Sequence, residues 1–291
     1  MKKLFTIFSM AVALVLVLAV ASGCTAKFDA SKNIAVVARE DGSGTKSAFM
    51  ELIGLKGKAD PSGIIIQTGS AGVLAEVKSN PVSIAYESLG YVTGDVKILK
   101  VDGVEATVSN IKNGTYKISR PLSVIYKETT LNSDINQAFL DFLKSSNAQT
   151  IIESEGFVSI VDAASAYVPN AALSGKITVG GSTSLGDFLM PALKTEFKNL
   201  QPNIEIEISG GGSGTGYESA ENGLFNFGMI SEEFNVTKAS SCVAYTVCKD
   251  GIAVIVNKSN PLETITINEL KSIYDKDAGA NAIKKWDVLV K

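Results

Sequence analysis

Arg39-Glu40-Asp41-Gly42-Ser43-Gly44-Thr45 joins an apolar run at 34–38 to a helix-like segment at 46–53, so it reads as strand, tight turn and helix start. Backbone N–H groups at a helix N-terminus lack internal partners and carry the positive end of the helix dipole. A turn of glycine, serine and threonine placed there can surround an anion with donors. Ser43 and Thr45 add hydroxyls, and Arg39 offers a planar guanidinium suited to a tetrahedral oxyanion, with Asp41 or Glu40 to hold it in place. The same letters also describe a plain helix cap. Repetition favours the oxyanion cradle. Gly212-Ser213-Gly214-Thr215 lies between a strand-like run at 204–208 and a helix-like run at 217–224, and Gly180-Gly181-Ser182-Thr183-Ser184 follows another strand-like run at 176–179. Such turns in both halves imply two lobes facing one ligand.

Competing chemistries fail on single residues. With no histidine in the chain, no Ser-His-Asp triad, Cys-His pair or His-ligated zinc centre can be built. The phosphate loop of nucleotide hydrolases needs glycine directly before its Lys-Ser pair, where Thr45 stands. A dinucleotide fingerprint needs its third glycine at Tyr217, and a hydrolase elbow needs glycine at Thr215. What survives is a set of donors without a nucleophile's base. That points to binding and not to an enzyme, and no cofactor or metal is called for.

The elements that must position these turns follow from periodicity. Strand-like and helix-like runs alternate, predicting α/β lobes with largely parallel sheets and ligands beyond the strand C-termini. An amphipathic helix is expected at 135–143, with Phe139, Leu140 and Phe142 inward. The Pro-led run at 120–126 is suited to a strand passing between lobes, and separate strands are expected at 244–247 and 251–257. The small, polar stretch at 162–174 reads as a linker.

At 291 residues the chain can fill two lobes, since domains usually hold ~100–150 residues. Lys2 and Lys3 precede an uncharged apolar run at 4–20 and then Ala21-Ser22-Gly23-Cys24, the layout of a secretory signal peptide. A membrane-spanning anchor is the alternative, disfavoured because the run is slightly short. The formal charge of −3 becomes −5 once Lys2 and Lys3 are removed, so the protein has no broad attraction for nucleic acid or anionic membrane. Cys242 and Cys248 are expected to close a small disulfide loop in an exported protein, with two free thiols as the alternative.

Together these residues resemble the phosphate-binding lipoproteins of ABC importers, which have the class II periplasmic-binding-protein fold. The resemblance rests on Ala38 to Thr45, Ser88-Leu89-Gly90-Tyr91, Ser119-Arg120-Pro121-Leu122, Gly156-Phe157-Val158, Gly181-Ser182-Thr183-Ser184, Gly210-Gly211-Gly212-Ser213-Gly214 and Lys284-Lys285-Trp286-Asp287. It implies a two-lobed α/β protein with the ligand cleft between lobes. Its order differs from the family's, where a segment like 176–291 comes first and one like 33–158 follows, which reads as a circular permutation. A fragment of tandem copies would give the same string, and a dimer that exchanges halves is a further possibility. On this reading residues 1–23 are a lipoprotein signal peptide, with Cys24 lipidated, and 24–32 are a tether. Residues 33–120 plus 258–291 form a lobe assembled from both chain ends, and 121–257 form a continuous lobe.

The implied phosphate ligands are Arg39, Ser43, Gly44, Thr45, Thr183, Ser184 and Ser213, with Asp41 orienting Arg39. Glu232 stands where family members carry Asp or Arg, and either accepts the proton of hydrogen phosphate or pairs with a cation. The implied role is an extracytoplasmic, lipid-anchored receptor on a bacterial cell membrane, delivering inorganic phosphate to the permease subunits of an ABC importer. A signalling or interaction lipoprotein, and a receptor for sulfate or molybdate, are the alternatives.

Overall fold

The computed structural model describes residues 27–290, so Cys24, the signal peptide and the first residues of the tether lie outside the described residues. The strands in chain order are β1 (Ala35–Arg39), β2 (Ile65–Gln67), β3 (Ser83–Ser88), β4 (Val96–Val101), β5 (Ser119–Lys127), β6 (Gly175–Gly181), β7 (Ile204–Ser209), β8 (Phe227–Ile230), β9 (Cys242–Asn257) and β10 (Thr264–Ile265). They pair in the order β2-β1-β3-β9-β5-β8-β6-β7, with β4 also on β9 and β10 on β4. Helices cover the sheet and split the core into two main clusters. One gathers Phe49, Tyr86, Tyr274 and Trp286, and the other gathers Phe139, Phe142, Phe197 and Phe227.

The second cluster shows how sequence sets packing. In the helix Asp134–Lys144, Ala138, Phe139, Phe142 and Leu143 fall on one face at helical spacing, and all are buried. Phe139 meets both Phe197 and Phe227 edge to face, at centroid distances of 5.5 and 5.3 Å. Residues 162–174 carry no helix or strand and lead into β6.

Three expectations change. The sheet is mixed: β1 runs parallel to β2 and β3, and β6 to β7 and β8, but β9 is antiparallel to β3, β4 and β5. The runs expected as two strands form the single strand β9, because Lys249-Asp250-Gly251 stays extended and pairs with Ser119-Arg120-Pro121 of β5. β9 contributes Val247 and Cys248 to one core cluster and Ile252, Val254 and Val256 to the other, so it ties the lobes together. That continuity also removes the disulfide. Cys242 and Cys248 are buried free thiols on one strand. A strand rises roughly 3.3 Å per residue, which puts them about 20 Å apart, whereas a disulfide needs Cα atoms within about 7 Å.

Segments from either end of the described residues pair with each other. Asn33 bridges Lys285, the Ile34 N–H donates to the Lys284 carbonyl at 2.8 Å, and the Trp286 indole N–H donates to the Val82 carbonyl at 2.9 Å. Trp286→Ala should cost about 3–5 kcal/mol of stability, seen as a lower urea midpoint with far-UV circular dichroism retained. Alkylation of denatured protein without reductant, followed by peptide mapping, should label both Cys242 and Cys248; a linked peptide carrying the two would contradict the strand geometry.

Candidate functional site

Arg39 ends β1 with only 1% of its surface exposed, and its guanidinium is surrounded by partners. Nε and Nη2 donate to the two Glu40 carboxylate oxygens at 2.8 and 2.9 Å, a bidentate pair. Nη1 lies 3.5 Å from Glu87 Oε2 and donates to Ser70 Oγ at 3.4 Å. The remaining reach crosses the cleft, where Nη2 also donates to Thr183 Oγ1 at 3.0 Å. Burial is the largest single influence on the Glu40 carboxyl and raises it, but the hydrogen bonds and charge of Arg39, together with backbone N–H donors, hold the group below its ordinary range. Burial wins at Glu87, which is fully enclosed and pushed up despite Arg39.

Asp41 does not orient Arg39. Its side chain is exposed and accepts from Lys46 Nζ at 2.7 Å, and that ammonium also holds Asp60 at 2.6 Å. The chain turns away at Gly42, whose φ of +86° is a left-handed conformation open to glycine, and the first turn of the following helix supplies the nearer cation. Glu40 takes the role assigned to Asp41.

The three hydroxyl-rich turns converge. Ser43 caps the helix Gly44–Leu52, its Oγ accepting from the Lys46 N–H at 3.3 Å, so the cap reading and the cradle reading describe one turn. Thr45 Oγ1 lies 2.9 Å from Ser184 Oγ, and the Gly214 N–H donates to the Gly42 carbonyl at 2.9 Å. The helices Gly44–Leu52 and Gly212–Glu221 therefore bring their N-termini together from opposite lobes. Gly44 must be glycine here. A Cβ on it would lie 2.2 Å from Ser213 Oγ and 2.8 Å from Ser231 Oγ. Ser213 Oγ in turn accepts from the Ser231 N–H at 3.0 Å. Arg39, Gly44, Thr45, Thr183, Ser184 and Ser213 thus form one constellation, all buried except the half-buried Thr183.

Glu232 sits at its edge. Its Oε1 accepts from Lys238 Nζ at 2.7 Å, and it shares a cavity of about 590 Å³ with Gly42, Ser43 and Lys46. The sequence reading missed Glu87, Ser70, Ser231, Asp250 and, as a site residue, Arg120. Arg120 is buried on β5, pairs with Asp250 on β9, and donates to Ser184 Oγ at 3.2 Å and the Ser231 carbonyl at 2.9 Å. One signal was available: of 27 basic residues only Arg39 and Arg120 are arginine. Burial with several acceptors is where a guanidinium differs most from an ammonium.

A cradle of hydroxyls, helix N-termini and guanidinium closed between two lobes can be compared with known proteins. The family described as the PBP superfamily domain matches residues 24–147 and 166–289. The "Phosphate-binding protein PstS 2" of Streptococcus agalactiae is 34% identical over 285 residues, covering 94% of this chain and 96% of that protein. Its namesake in Streptococcus pneumoniae is 32% identical over 268 residues, covering 90% and 89%. A crystal structure of a phosphate ABC transporter phosphate-binding protein from Streptococcus pneumoniae superposes with a TM-score of 0.69 at 31% identity, covering 88% of this chain and 99% of the other. The chain belongs to the PBP superfamily and, within it, to the PstS type.

Proposed function

We propose that this protein captures inorganic phosphate outside the cytoplasm and presents it to the permease of an ABC importer, as a binding protein and not an enzyme. The observation that carries this reading is the convergence of contacts from opposite lobes, Arg39 with Thr183, Thr45 with Ser184 and Gly44 against Ser213, beside two helix N-termini. A buried anion loses its hydration, and charge-assisted donors must replace it. Each such bond contributes roughly 1.5–3 kcal/mol, enough in sum for micromolar or tighter affinity. Ser43 and Gly44 contribute from the cap, while Glu232 at the rim is paired with Lys238, the cation-pairing alternative.

Attachment of the mature chain through lipid at Cys24 belongs to the same reading, as do lobes formed by 33–120 plus 258–291 and by 121–257, except that Ile252, Val254 and Val256 at the end of β9 pack in the core of the first. The circular order is supported by the Asn33–Lys285 bridge.

Calorimetry with phosphate, sulfate and molybdate tests the ligand. Phosphate should bind tightest, and tighter binding of sulfate would overturn the assignment. Arg39→Ala should lower phosphate affinity at least a hundredfold, by the loss of two or more charge-assisted bonds. Glu40→Gln should weaken binding about tenfold through lost orientation of Arg39, while Asp41→Asn stays within about twofold; the reverse order would return the orienting role to Asp41.

A further inference from the structure

Arg120 touches two of the groups that surround the proposed anion site. Its Nη2 donates to Ser184 Oγ at 3.2 Å, and its Nη1 to the Ser231 carbonyl at 2.9 Å. The Ser231 N–H, at the other end of that residue, donates to Ser213 Oγ at 3.0 Å. A hydroxyl has one proton to give. When a fixed N–H already occupies a lone pair on its oxygen, that proton is directed elsewhere. At Ser184 the Arg120 N–H takes one lone pair, and Thr45 Oγ1 lies 2.9 Å away on the opposite lobe, where either hydroxyl can donate.

Resting on the oxyanion reading above, we propose that Arg120 is a positioning residue of the phosphate site. It fixes Ser184, and through Ser231 also Ser213, as hydrogen-bond donors to the bound anion. It is itself fixed by Asp250, whose Oδ2 accepts from Nε at 3.2 Å and Nη2 at 3.0 Å. Arg120 and Asp250 are register partners on β5 and β9, the strands that run between the lobes. The second arginine of the chain thereby ties the crossing strands to the donor turn. A lysine has no fork with which to reach the carboxylate, the carbonyl and the hydroxyl together.

The test is a double-mutant cycle on the full chain, read by calorimetry with inorganic phosphate. R120K and S184A should each lower affinity about tenfold or more, and R120K/S184A should be no weaker than the poorer single variant, because Arg120 acts through Ser184. A purely structural role for Arg120 would give losses that multiply. The paired change Arg120→Met with Asp250→Leu leaves no uncompensated buried charge and carries the same expected loss if R120K does not fold. Wild-type affinity in R120K or in the paired variant, or multiplying losses, overturns the positioning role alone. A wild-type chain that binds no phosphate removes the phosphate reading together with it.

Discussion

Burying a guanidinium strips it of water, and the molecule is built so that the Arg39 charge is matched without being used up. Glu40 takes it in a bidentate grip and Glu87 stands behind it, yet one N–H still crosses to Thr183 on the opposite lobe. A fully satisfied ion pair would be inert towards a ligand, and an unmatched one would be costly to bury. The arrangement lies between these limits. It requires β1 to end where β3 presents Glu87, and β6 to end at the hydroxyl turn facing it. The parallel pairing of β1 with β3 and of β6 with β8 supplies both conditions.

The two lobes solve the same local problem with the same few residue types. A strand stops, glycine lets the backbone turn tightly, and a hydroxyl sits where the next helix exposes its N–H groups. At Gly44 the turns approach so closely that no side chain fits against Ser213 and Ser231. Close approach and donor supply are therefore one design, since the missing Cβ is what lets the two helix ends share a small volume.

These turns were legible in the sequence because their chemistry is local. Gly-Ser-Gly-Thr occurs twice, each time after a strand-like run, and the residues named from those letters converge in space. What was not legible depends on pairing between distant segments. Glu87 reaches Arg39 only because β1 and β3 are neighbours, and Arg120 reaches Asp250 only through antiparallel β5 and β9. Lys249-Asp250-Gly251 has the composition of a turn, but cross-strand bonds keep it extended and join the two expected strands into one; the disulfide, expected from an exported compartment and a pair of cysteines, fails because both lie on that strand. The choice between Glu40 and Asp41 was undecided by spacing. It was settled by Lys46 and Asp60, the latter fourteen residues further along than the former.

Trp286, the chain's one tryptophan, is packed edge to face with Phe28 at a centroid distance of 5.6 Å and bonded to the backbone of Val82. Its indole belongs to the seam where the beginning and end of the fold are stitched together, on a different part of the lobe from the donor turns. Intrinsic emission from this protein is consequently a gauge of whether that seam is intact, and a spectroscopist wishing to follow ligand capture must install a fluorophore elsewhere, along the rim shared by Ser43 and Glu232.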